Sequence, residues 1–199
     1  MGATQFCFGA GQVSARTISS GRRDLPRPPA NGVDLFETCQ RAVRLVAPML
    51  IRAMDADDVD KIHLIHTEAV NITCALHYDA ERREAWLRGR TPEGYLRAQQ
   101  NGENFLVAIL EGAVVGFASW RAEELLALFV LPSRQRRGVA HSLFDECGRR
   151  ANESNFAITK LNATLNAREF YEQLGFKVTG RGYEIKRGKR IYHYKMRKA

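Results

Sequence analysis

The densest chemistry in this chain is the stretch Arg134-Gln135-Arg136-Arg137-Gly138-Val139-Ala140, placed directly after an apolar run that stops at Pro132. Gly138 lets the main chain approach a ligand closely, and the small Ala140 keeps the first turn of a following helix open. Free N–H groups at a helix start form an anion site, and three arginines strengthen it. A diphosphate is the obvious occupant. The glycine spacing fits neither GxxxxGK[ST] nor GxGxxG, which disfavours nucleoside triphosphates and dinucleotides. His63 and His66 stand one helical turn apart, but no third ligand accompanies them, so no metal is expected.

The elements that must position this stretch follow from hydrophobic period. Leu50-Ile51-Arg52-Ala53 reads as a first strand, and Asp55 caps a helix whose apolar face is Val59, Ile62, Ile65, His66, Ala69 and Ile72. Further helices are expected from Asp79 to Leu87 and from Thr91-Pro92 to near Gly102. Asn104 to Leu110 and Ala113 to Arg121 form a hairpin around Glu111-Gly112, with Phe117 and Trp120 packed in the sheet. Leu125 to Leu131 is almost wholly apolar and therefore reads as a strand buried on both faces. A helix from Gly138 to about Asn152, a strand from Ile158 to Ala163, and a helix from Asn166 to Leu174 closed by Gly175 come next. Lys177 to Ile185 and Ile191 to Met196 end the chain as an antiparallel pair. The order gives an α/β fold with a central mixed sheet and helices on both sides.

Residues 1–48 differ from the rest. Five glycines and Pro26, Pro28 and Pro29 break any period, and Met49 begins a run that would serve as an amino terminus. They are read as a poorly ordered leader or an overlong start, with one short helix over 34–46; their Ser/Arg-rich, acid-poor composition is also that of a transit peptide. The domain proper is 49–199.

The segment Gln135-x-x-Gly138-x-Ala140 resembles the first signature of the GCN5-related N-acetyltransferases, and Leu125 to Pro132 resembles the strand that precedes it. Asn166-Ala-Arg-Glu-Phe-Tyr-Glu-Gln-Leu-Gly-Phe176 is similar to that family's second signature. Both segments occur in the right order, at the right spacing and in the right context, and the likeness covers about residues 49–199. It implies a mostly antiparallel sheet of about six or seven strands with about four or five helices, and acetyl-CoA as co-substrate without a metal. It also implies that main-chain groups of Leu128, Phe129 and Val130 pair with pantetheine. Backbone N–H groups from Arg136 through Arg137, Gly138 and Val139 to Ala140 would hold the pyrophosphate, with Gln135 beside it. Tyr171 falls at the general acid for the leaving thiolate, and Glu124 at the base. Strand alternation is expected to turn its neighbour Glu123 to the opposite face. The family's asparagine seven residues before the tyrosine is Thr164 here, with Asn166 and Asn162 nearby. His77 and Tyr78 fall where the family builds its acceptor pocket. Trp86, in the same region, reads as core.

The net charge of +8 is uneven, because residues 177–199 hold nine Lys/Arg against one Asp/Glu while residues 49–176 are slightly acidic. A solvated basic end explains this without nucleic acid, which is not an expected partner. No apolar run reaches the roughly 18 residues of a membrane span. The four cysteines, far apart, read as reduced thiols of a cytoplasmic protein. The expected reaction is direct transfer to the amine of a small molecule or peptide in a ternary complex. A non-catalytic acyl-CoA sensor is the alternative, and the acceptor and homodimer formation are left open.

Overall fold

The computed structural model describes residues 5–6 and 49–198. Most of the leader, including the short helix expected over 34–46, lies outside the described residues. The strands are β1 (Gln5–Phe6), β2 (Leu50–Ala53), β3 (Asn104–Leu110), β4 (Ala113–Arg121), β5 (Glu124–Val130), β6 (Lys160–Ala163), β7 (Phe176–Lys186) and β8 (Lys189–Lys198). The helices are α1 (Val59–Glu68), α2 (Ala80–Leu87), α3 (Pro92–Gln100), α4 (Val139–Glu153) and α5 (Arg168–Gln173). The sheet runs β2-β3-β4-β5-β6-β8-β7, with β1 paired to β5 off this path. Neighbours are antiparallel except β5–β6 and β1–β5. This is the mixed, mostly antiparallel α/β sheet that the sequence predicts.

Local chemistry sets the entry to α1. Asp55 and Asp58 form a capping box around the 3-10 turn Ala56–Asp58. Arg52 of β2 clamps the nearly buried Asp58 carboxylate with contacts of 2.5 and 2.9 Å. The hydrogen bonds from Arg52 and the Asp55 main chain outweigh burial and hold the Asp58 carboxyl below its ordinary range. The helix then passes into a π-helical turn, Ala69–Thr73. That extra residue per turn shifts the phase. Ile72, predicted on the buried face, is consequently 60% exposed, while Ala69 and Val70 are fully buried. The β3–β4 turn has Glu111 and Gly112 at φ 54° and 77°, the left-handed pair that a two-residue hairpin needs.

Two apolar clusters cover the two faces of the sheet. On one, Leu143 and Cys147 of α4 and Phe170 and Tyr171 of α5 pack on Leu125, Leu128 and Val130. On the other, Ile62 and Ile65 of α1, Trp86 of α2 and Tyr95 of α3 pack on Phe117 and Phe129. Strand β5 supplies both layers, which explains its nearly continuous apolar sequence. Cys147 is a buried free thiol whose pKa burial pushes up. Cys74 departs from the expected reduced state, because it is disulfide-bonded, and Cys7 and Cys39 lie outside the described residues.

Gly116 is where α4 meets the sheet. A Cβ there would sit 3.0 Å from the Phe129 carbonyl oxygen, 3.1 Å from Val139 Cγ1 and 3.2 Å from Leu143 Cδ1. The neighbours are backbone and packed helix, so they have little room to yield. Gly116→Val is expected to cost about 1–3 kcal/mol through overpacking. A lowered urea midpoint at unchanged m-value checks this, and an unchanged midpoint refutes it.

Candidate active site

The parting of β5 from β6 creates the site. These strands pair only at Glu124↔Lys160 and Leu125↔Leu161, while β6 continues along β8 through Ala163↔Tyr194. Beyond Leu125, β6 no longer covers the edge of β5. Gln5 and Phe6 pair there, in parallel, with Ala127 and Leu128. The main-chain groups predicted to receive pantetheine, on Leu128, Phe129 and Val130, thus lie on the part of β5 beyond its pairing with β6.

The predicted anion cradle follows at the end of β5. Pro132–Arg134 make a 3-10 turn, and Arg136 at φ 63° and Gly138 at φ 78° curl the chain into the start of α4. Gly138 is the N-cap, and no side chain caps the helix, so the first-turn N–H groups from Val139 and Ala140 onward are not taken by a capping side chain. Gln135 Nε2 donates to Thr73 Oγ1 at 3.0 Å and to the Val130 carbonyl at 3.2 Å, tying the loop to the end of β5 and to the π turn. The arginines are not equivalent. Arg134 pairs with Glu111 at 2.8 Å, and Arg137 lies 3.8 Å from the same carboxylate.

On the other side of the opening, Thr164 is completely buried and its Oγ1 has no hydrogen-bond partner among the described residues. Asn166 lies in the turn before α5, with Oδ1 3.6 Å from Cys74 Sγ. Tyr171 is fully buried among Phe170 and Phe176. Burial, and to a lesser degree Cys147, hold its phenol well above the ordinary value, so it keeps its proton at neutral pH.

A cavity of about 580 Å³ opens on the α1–α3 face of the same strand. Glu124, Leu126, Ala127 and Phe129 of β5 form its floor. Glu123 lines it too, contrary to the expected alternation, because Glu123 belongs to the β4–β5 turn and only Glu124 begins the strand. Lys160 Nζ is 2.8 Å from Glu123 and 3.6 Å from Glu124, and its hydrogen bond pulls the Glu123 carboxyl down. Neither His77 nor Tyr78 lines this cavity. His77 is exposed. The Tyr78 hydroxyl donates to the Tyr192 carbonyl at 2.6 Å and accepts from the Leu165 N–H at 3.0 Å, so it ties α2 to the end of β6 and to β8.

Sequence reasoning missed the polar part of this cavity. His66 is 4% exposed, stacks on Phe129 with ring centroids 4.2 Å apart, and places Nδ1 3.0 Å from the Tyr95 hydroxyl. Burial, then the charge of Arg90, push its pKa well below the ordinary value, so the ring is neutral. Burial pushes the Tyr95 phenol up to about 12 against the opposing pull of Arg90. Glu103 is held above the ordinary carboxylate range by burial, opposed by Ser119 beside it and by Arg121 and Arg90. The only sequence signal was a histidine on an otherwise apolar helix face, which is also how a packed core residue reads.

Residues 74–199 match the Acetyltransferase (GNAT) domain family. The chain is 29% identical over 127 residues to YafP, an uncharacterized N-acetyltransferase of Escherichia coli, spanning 64% of this chain and 80% of that one. Among solved structures, a GCN5-related N-acetyltransferase from Rhodopseudomonas palustris superposes with TM-score 0.70 at 25% identity, over 78% of this chain and 98% of that one. YncA from Salmonella typhimurium, solved with its cofactor acetyl-CoA, superposes with TM-score 0.55 at 25% identity, over 75% of this chain and 92% of that one. With the family signature spread over an opened strand edge, an uncapped helix start and a cavity beside them, the chain belongs to the GNAT acetyltransferase family.

Proposed function

We propose that this protein moves an acetyl group from acetyl-CoA to a primary amine by direct transfer in a ternary complex, within a domain formed by residues 49–199. One observation carries the reading: β6 leaves the edge of β5 beyond Leu125, where the short β1 takes its place at Ala127 and Leu128, and that edge leads straight into the uncapped first turn of α4. Pantetheine lies along Leu128 to Val130, and the pyrophosphate on the main chain from Arg136 to Ala140. Gln135 acts here mainly by fixing the loop, since its amide is bonded to Thr73 and Val130. Thr164 offers the thioester side a buried hydroxyl that can hydrogen-bond a pantetheine carbonyl. Asn166 borders the same opening.

The chemistry divides among few groups. The acceptor amine loses a proton to Glu124, or to a water it holds, and attacks the thioester carbonyl carbon. A β5 main-chain N–H near Phe129 stabilises the developing oxyanion. Collapse breaks the C–S bond, and Tyr171, protonated at neutral pH, returns a proton to the thiolate. Tyr171→Phe is expected to lower kcat for CoA release by about 10²–10⁴-fold with little change in acetyl-CoA affinity. A loss below tenfold removes the acid role. Tight CoA binding with no turnover on any amine would instead favour a sensor.

This binding mode uses the edge on which Gln5 and Phe6 pair, so ligand and segment exclude each other. Adding CoA is expected to slow amide exchange across 128–140 and speed it at residues 5–6. Protection at both places would contradict the pantetheine position.

A further inference from the structure

The cavity against β5 says something about the acceptor, given the acetyl-transfer reading above. His66 is its deepest polar group. Its Nε2 is buried and has no hydrogen-bond partner among the described residues, in a residue that lines the cavity wall. Its partner network sets which proton it carries. Its Nδ1 lies 3.0 Å from the Tyr95 hydroxyl, which we read as the donor, since Arg90 favours negative charge on the Tyr95 oxygen. A neutral imidazole that accepts at Nδ1 carries its hydrogen on Nε2. The cavity thus presents a buried donor that asks for an oxygen acceptor.

The charges around the mouth are consistent with that demand. Arg90, Arg97 and Arg121 all line the cavity, and none makes an ion pair within 4.0 Å among the described residues. Glu103, partly buried between Arg90 and Arg121, offsets one of them. The other carboxylates, Glu123 and Glu124, sit with Lys160 at the β5–β6 junction. His66, Arg90 and Arg97 thus make a donor-rich, cationic wall on α1, the α2–α3 connection and α3, while Arg121 stands opposite Glu124 in the β4–β5 register, beside the carboxylate-bearing start of β5. A molecule with an amine at one end and an anionic oxygen group at the other matches both. We propose that the acceptor is an amine that carries a carboxylate, the carboxylate accepting from His66 Nε2–H and facing Arg90 and Arg97, the amine lying toward Glu124 at the start of β5.

Amino acids and their C-terminal amides, compared in pairs, test this by calorimetric binding and by CoA release. The amides hold more free amine at neutral pH, so any bias from ionisation runs against the expected result. The carboxylate form is expected to bind, and to be acetylated in kcat/KM, at least about tenfold better, the worth of one charge-assisted hydrogen bond. Arg97→Gln, at an exposed position, and His66→Phe should each reduce that preference to within about twofold, while His66→Gln, which keeps a donor, retains part of it. The exposed Arg97→Gln variant keeps the test valid if His66→Phe does not fold. Equal or better binding of the amides, or no binding of either form, overturns the proposal. CoA release without carboxylate preference overturns it while leaving acetyl transfer intact. Preferential carboxylate binding with no CoA release from any amine does the reverse.

Discussion

Two residue pairs hold the halves of this sheet together. Glu124↔Lys160 and Leu125↔Leu161 are the only register contacts between β5 and β6, and past them the strands diverge. Past Leu125 the edge of β5 changes partner, from β6 to the short β1 at Ala127 and Leu128, and this change of partner marks the candidate site. The molecule bears this opening because β5 is anchored on both faces, by α4 and α5 on one side and by α1, α2 and α3 on the other. Packing on both faces adds rigidity where the pairing with β6 stops.

The same anchoring places the chemistry. Helix α4 approaches β4 closely because Gly116 has no side chain, and that approach sets the helix start where the end of β5 delivers the chain. Gly138 and Arg136 take positive φ to make the curl, so the loop presents main chain outward. Gln135 locks the loop to the π turn that ends α1. The helix that carries His66 and the candidate cradle loop are therefore joined mechanically through Thr73.

Strands β2 to β8 and the five helices were legible in the chain because each is a local pattern, whereas β1 lies in the stretch read as a poorly ordered leader. Alternation, helical period, the Glu111-Gly112 turn and the Gln135 to Ala140 stretch are written within short windows. The errors arose where local rules lost to geometry. The π turn moved Ile72 out of the core, and the β4–β5 turn put Glu123 and Glu124 in one cavity. Tyr78, expected near the acceptor, spends its hydroxyl on Leu165 and Tyr192. Its partners lie 87 and 114 residues away, beyond the reach of any pattern.

The sequence by itself determined the family and the fold, and it put the glycine-marked Gln135 to Ala140 loop at a helix start, since these depend on main-chain conformation and glycine position. Only the tertiary structure decided what lines the cavity against β5. His66, Arg90, Tyr95, Glu103 and Arg121 come from α1, the α2–α3 connection, α3, the residue before β3 and β4, and no spacing along the chain unites them. Their chemistry appears only when burial removes water from around them and neutralises one histidine in the cavity wall.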